Sequence, residues 1–146
     1  MSGKIFVISL GLFTFAFACC LYYFQVFAYY EESEPLSYLM VGTRTIPVTN
    51  YRGIDSSSSG LKLRGCFEVN PSDFVGLPKP EKATPLSAPF WFRCFDHKIL
   101  QNAIDNEKVN VYLLVKNEKD GIDRIAAVFD SGKAFQWRQL NTKFQD

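Results

Sequence analysis

The 146 residues carry 16 Lys and Arg against 15 Asp and Glu, a formal net charge of +1, and 47% of them are hydrophobic. A near-neutral balance without a basic stripe argues against nucleic-acid binding, and it gives no strong field for capturing a charged soluble partner. One histidine and four cysteines bound the metal and thiol chemistry that the chain can offer.

The first element is Ile5–Tyr30, 26 residues without a formal charge, in which only Ser9, Thr14 and Gln25 are clearly polar. A helix needs ~20 apolar residues to cross a bilayer core of about 30 Å, and this run reaches roughly 39 Å. A lone strand or loop would leave its backbone groups unpaired in lipid, so a helix is the form expected. Residues 1–30 are therefore read as a transmembrane signal anchor and 31–146 as a separate domain. Lys4 precedes the span and Glu31, Glu32 and Glu34 follow it, with Tyr22, Tyr23, Tyr29 and Tyr30 toward the far end. The positive-inside rule then puts the N-terminus in the cytoplasm and the domain outside, which is the periplasm for a protein of the bacterial inner membrane. The competing reading is a cleaved signal peptide, because Ala16-Phe17-Ala18 before Cys19 has the small-x-small pattern of a cleavage site. Against it, the apolar run continues twelve residues past Ala18.

Beyond the span, Glu31–Tyr38 reads as an acidic stalk, Tyr38–Val41 as a strand and Ile46–Tyr51 as a second, with Pro47 confining the second to an edge or a strand start. Asp55–Gly60 is a loop of short polar residues. Leu61–Val69 alternates, with Leu61, Leu63, Gly65, Phe67 and Val69 on one face and Lys62, Arg64, Cys66 and Glu68 on the other, which predicts a half-buried strand. Asn70–Pro89 holds five of the seven prolines and should contain little regular structure; a loop that long needs pinning or a function. After the aromatic run Phe90–Phe95, Asp96 is a helix cap, and Ile99, Leu100, Ala103 and Ile104 give His97–Asn106 an apolar face. Val109–Lys116, Ile122–Asp130 and Lys133–Leu140 complete a three-strand meander with hairpin links. The fold class expected is α+β: one N-terminal transmembrane helix, then a small antiparallel-sheet domain with one main helix.

Cys19 and Cys20 fall inside the span, and Cys66 and Cys94 in the exported domain. An even pair in an oxidising compartment argues for a Cys66–Cys94 disulfide. The alternative is a copper or zinc site in which Cys94-Phe95-Asp96-His97 joins Cys66. No nucleotide loop, nucleophile elbow, zinc-protease or haem-attachment motif occurs. Asp123-Arg124 reads as a structural salt bridge or turn cap. Trp137 and Arg138 read as a stacked pair on a sheet face or as part of a partner surface.

Several stretches together carry a resemblance: FQVFAYYEE at 24–32, GIDSSS at 53–58, RGCF at 64–67, PLSAPFWFRCFD at 85–96, GIDRIAAVF at 121–129 and WRQLN at 137–141. In this order they resemble a family of small bacterial single-pass membrane proteins catalogued only as a domain of unknown function, whose members are at times labelled histidine kinases. The label has no counterpart here, since the chain has no nucleotide-binding motif. The resemblance implies a histidine in the tryptophan-containing segment, where this chain has Arg138. It implies location and architecture, and no activity.

The functional expectation is a non-catalytic, membrane-anchored periplasmic accessory or assembly subunit of a larger integral-membrane complex, respiratory or otherwise energy-converting. It would need no cofactor, and its partners would be the bilayer and that complex. Phe90, Trp91, Phe92, Trp137 and Arg138 are the candidate interaction residues. The alternatives are a metal-handling or thiol-redox assembly factor built on Cys66, Cys94 and His97, and a tethered enzyme using Asp55, Asp96, His97 or Asp123.

Overall fold

The computed structural model describes residues 2–144 and divides the chain into two compact units, Met1–Tyr30 and Glu31–Asp146. In the first, helix α1 (Gly3–Tyr23) continues into a five-residue π-helical turn, Phe24–Ala28. The 26 residues Gly3–Ala28 are long and apolar enough to cross a membrane, and no side chain of α1 is buried. The Thr14 hydroxyl is satisfied within the helix, as its Oγ1 donates to the Leu10 carbonyl at 2.9 Å. The π turn widens the helix where Tyr22, Tyr23, Phe24 and Phe27 crowd together in ring contacts.

The second unit holds eight strands and one α-helix: β1 (Glu31–Glu32), β2 (Tyr38–Val41), β3 (Arg44–Pro47), β4 (Thr49–Asp55), β5 (Arg64–Glu68), α2 (His97–Asp105), β6 (Asn110–Lys119), β7 (Ile122–Val128) and β8 (Lys133–Leu140). Six strands form one antiparallel sheet in the order β1-β4-β5-β8-β7-β6, and β2 and β3 form a separate hairpin. The class is α+β, and β6–β7–β8 is the expected meander.

The expected strand Ile46–Tyr51 is two strands that meet after Pro47. Pro47 ends β3 opposite Tyr38, at a non-hydrogen-bonded position where its missing N–H costs the hairpin nothing, and Val48 N–H donates to the Ser37 carbonyl at 3.0 Å one step further on. The chain then enters the large sheet at Thr49.

Both faces of that sheet are covered. On one, Leu39, Val41, Ile46 and Val48 of the hairpin segment pack with Tyr51, Phe67, Tyr112, Leu114, Ala126, Val128 and Ala134. Phe74 joins them, fully buried, from a 3-10 turn (Pro71–Phe74) whose start is capped by Asn70. On the opposite face, the buried Cys66, Ile125, Ala127 and Trp137 lie under Phe92 and Phe95 of the aromatic run and Leu100 and Ala103 of α2. The Phe95 ring stands edge-on to Phe135 at 6.1 Å and to Trp137 at 6.3 Å.

Two expectations need correction. β5 is shorter than Leu61–Val69 and is not half-buried: Arg64 and Cys66, assigned to a polar face, are 4% and 8% exposed because the proline-rich segment and the aromatic run close over them. Ile99, assigned to the apolar face of α2, is 66% exposed. It lies at the margin of the stripe, about 100° around the helix from Leu100.

Candidate functional site

The long segment between β5 and α2 is the feature that a site would have to be built on, since a proline-rich stretch cannot hold itself in place by backbone pairing. Buried polar side chains hold it. Gln139, 4% exposed on β8, accepts from Thr84 N–H at 2.8 Å through Oε1 and donates through Nε2 to the Lys82 carbonyl; the same Oε1 accepts from Trp137 Nε1 at 3.0 Å. Arg64 donates to the carbonyls of Leu86 and Ser87 at 3.0–3.2 Å and to those of Leu61 and Leu63 at 2.6 Å, with its guanidinium 5.8 Å from the Phe95 ring centre. Leu113 N–H on the edge strand β6 donates to the Pro78 carbonyl at 2.8 Å, so the segment also shields that edge. The Cys66–Cys94 disulfide, with Cα atoms 6.3 Å apart, fastens its far end to β5. Sequence reasoning missed Arg64 and Gln139 as anchors. The available signal was a glutamine two residues from a tryptophan in an otherwise apolar strand, facing a loop in need of donors and acceptors.

The sheet face that carries the hairpin also bears a polar patch. Arg138 is bonded to Asp55 at 3.1 Å and to Glu118 Oε2 at 2.8 Å, while Arg124 Nε stands 3.5 Å from Glu118 Oε1. Arg124 and Arg138 are direct cross-strand partners, and the Glu118 carboxylate between them offsets their repulsion. Burial lowers the proton affinity of Arg138, but hydrogen bonds and charge from Glu118 and Asp55 outweigh it, and the net shift is upward. Next along the sheet, the Tyr51 ring lies over Gly53 and Gly65, which are themselves cross-strand partners. A Cβ on Gly53 would come within 2.7 Å of that ring, and one on Gly65 within 3.0 Å of its oxygen. Gln136 Nε2 donates to the Tyr51 hydroxyl at 2.8 Å, and burial, partly offset by that bond, raises the phenol above its ordinary value of 10.0. Among the described residues two buried polar atoms, Arg124 Nε and Gln136 Oε1, have no hydrogen-bond partner.

The predicted site residues therefore separate. Phe90 is 65% exposed and Trp91 half-buried, but Phe92 and Trp137 are core residues at 4% and 0% and offer no partner surface, and Arg138 is committed to its two carboxylates. Trp137 and Arg138 neighbour each other in sequence but point to opposite faces of β8, so they are not a stacked pair. Asp96 caps α2, accepting from Lys98 and Ile99 N–H at 2.9 and 3.2 Å. Asp123 accepts from Asn117 N–H at 2.9 Å and from Asn141 Nδ2 at 3.0 Å. Ser56 Oγ is bonded to Ser58 Oγ at 2.7 Å within the serine loop. Asp55, Asp96 and Asp123 thus serve three separate local structures. Among the described residues no group of three or more His, Cys, Asp or Glu side chains is placed to hold a metal ion.

A model of a family of unknown function, DUF6446, matches residues 36–146. The chain belongs to that family. No curated protein and no solved structure matches it. The match covers nearly all of the second unit of this DUF6446 chain and none of α1. Two open depressions flank the Lys79–Glu81 stretch in the DUF6446 domain. One, of about 590 Å³, is bordered by Ile104, Glu107, Val109 and Asn110; the other, of about 480 Å³, by Leu113, Lys116, Asp123 and Gln139. Of the polar residues around the second, which also include Lys79, Glu81, Lys82 and Lys116, Asp123 and Gln139 are bonded to the fold.

Proposed function

We propose that this DUF6446 protein is a non-catalytic, membrane-anchored accessory or assembly subunit of a larger inner-membrane complex. Its N-terminus would be cytoplasmic and its domain periplasmic, and energy-converting complexes are the host class to test first. The observation that carries this reading is where the polar side chains go. Arg64, Gln139, Asp123, Arg138 and Asp55 each brace a segment of the domain itself, and the two that border an open depression, Asp123 and Gln139, spend their polar atoms on Asn117, Asn141, Thr84 and Lys82. The uncovered apolar span supports it too, because α1 buries no side chain and keeps its whole surface for lipid and other spans. Lys4 before the span, the three glutamates after it and the disulfide support the orientation. A metal-handling factor would need free thiolates at Cys66 and Cys94, and these sulfurs are bonded to each other; thiol exchange would need an accessible sulfur, and Cys66 is 8% exposed.

The test is purification of the full chain, tagged at the C-terminus, from its native membranes in mild detergent, with quantitative mass spectrometry. A stoichiometric integral-membrane partner is expected, and elution of the chain alone would refute the reading. Cleavage of the tag by protease added to spheroplasts, with the cytoplasmic face protected, checks the orientation.

A further inference from the structure

The chain contains one Asp-Gly dipeptide, Asp120-Gly121, and no Asn-Gly. It forms the link between β6 and β7, where Lys119 pairs with Ile122 and Gly121 has a φ of +73°. Tight hairpin links favour this dipeptide because glycine reaches positive φ without strain. The same missing side chain leaves the glycine nitrogen open to the carboxyl group beside it. The Gly121 nitrogen can bond to the side-chain carboxyl carbon of Asp120, whose C–OH bond breaks as the hydroxyl and the amide proton leave together as water. Water then re-enters the five-membered succinimide. Where it breaks the bond between that nitrogen and the main-chain carbonyl carbon, the chain continues through the side chain as isoaspartate, with no net change in mass.

Asp120 is open to water, with a side chain 76% exposed, yet Gly121 is buried. The segment after β8 covers it. Phe144 lays its ring over Gly121, so close that a Cβ there would come within 1.9 Å of it. Asn141 N–H donates to the Gly121 carbonyl at 2.9 Å, and Lys143 Nζ bonds Asp120 Oδ1. The segment is itself braced: Asn141 Nδ2 donates to Asp123 Oδ1 at 3.0 Å, Asn141 Oδ1 accepts from Lys143 N–H at 3.0 Å, and the Asn141 carbonyl accepts from Phe144 N–H at 3.1 Å. Phe144 keeps 52% of its surface in solvent, so it clasps the link from outside and does not extend the core. Ring closure needs these holds released. The Asp120 carboxylate must leave the Lys143 ammonium, and the Gly121 peptide must turn toward it, although Asn141 holds its carbonyl and Phe144 covers its Cα. We propose that Asp120 is a site of spontaneous isoaspartate formation and that Asn141–Phe144 is the clasp that keeps it from reacting. Reaction would put an extra methylene into the main chain of a two-residue link, and Lys119 and Ile122 could no longer pair across it in the same register.

The test ages the full chain in detergent at neutral pH and compares wild type, Lys143→Ala, and Lys143→Ala with Phe144→Ala. Samples are digested at mildly acidic pH, and isoaspartate is located by electron-transfer fragmentation, which cleaves the added backbone bond. Asp130-Ser131, in the link between β7 and β8, is the internal reference. Wild type should react at Asp120 far more slowly when folded than in guanidinium chloride. The double variant should form isoaspartate at Asp120 about 5- to 30-fold faster than folded wild type, the change expected when the loss of one or two contacts eases a local opening. Lys143→Ala alone should fall between them, and the rate at Asp130 should not change. Equal rates at Asp120 in wild type and the double variant overturn the clasp. So does equal acceleration at Asp120 and Asp130, which would mean that the whole domain has loosened. An Asp120 that stays intact even in guanidinium chloride overturns the site itself.

Discussion

Gln139 shows how much of this domain rests on single polar side chains. It bonds three groups at once, and a buried donor or acceptor left without a partner costs about 1–3 kcal/mol. Gln139→Leu should therefore lower unfolding stability by at least about 2 kcal/mol, read from a shifted denaturant midpoint, and should speed amide exchange at Thr84, whose N–H it accepts. Tyr51 makes a prediction in pH. Its phenol titrates higher in the fold than in the unfolded chain, so its stabilising effect is complete below the ordinary value of 10.0. That effect is lost progressively as the pH rises from there through the folded value. Tyr51→Phe should cost about 1–2 kcal/mol at neutral pH, where Gln136 Nε2 loses its acceptor. The gap between wild type and variant should then narrow above pH 10 in chemical denaturation. Neither role was legible in the sequence. Apolar periodicity locates a strand but says nothing about which segment its polar residues face, and Gln136 and Gln139 acquire meaning only once Tyr51 and Thr84 arrive from distant parts of the chain.

At the scale of elements, regular structure was readable where a local rule decided it. Asp96 as a cap, Pro47 on an edge strand and the tight links of the meander rest on neighbours in sequence, and the fold contains each of them. What was not readable was coverage. β5 shows the alternation of a strand with one wet face, yet Arg64 and Cys66 are buried because a segment without regular structure closes over them. The same cover takes Phe92 and Trp137 into the interior and leaves Phe90 outside, although nothing in the run Phe90–Phe95 separates them beforehand. The disulfide sets how firmly that cover stays closed. Joining residues 28 apart is worth about 3–4 kcal/mol in the chain-entropy model. The variant Cys66→Ala with Cys94→Ala should lose stability of that order, and protease should cut first between Pro78 and Arg93, while the meander β6–β8 keeps its amide protection.

For the whole molecule, the sharpest expectation concerns the division at Tyr30. No core residue of the second unit comes from before Leu39, and the only strand lost by cutting further into the stalk would be the two-residue β1. A chain beginning at Glu31 should therefore fold, keep its disulfide and unfold with a midpoint close to that of the full protein. Membrane retention should behave in the opposite way. With the helix as a span, the full chain would bury some 20 apolar residues in lipid and should stay in the pellet through an alkaline carbonate wash, whereas the truncated chain should be released. A truncated chain that remained in the pellet would show that the domain has a second strong membrane attachment. A full chain whose intact mass begins near Cys19 would show instead that the helix is removed as a signal sequence, and the span would lose its role.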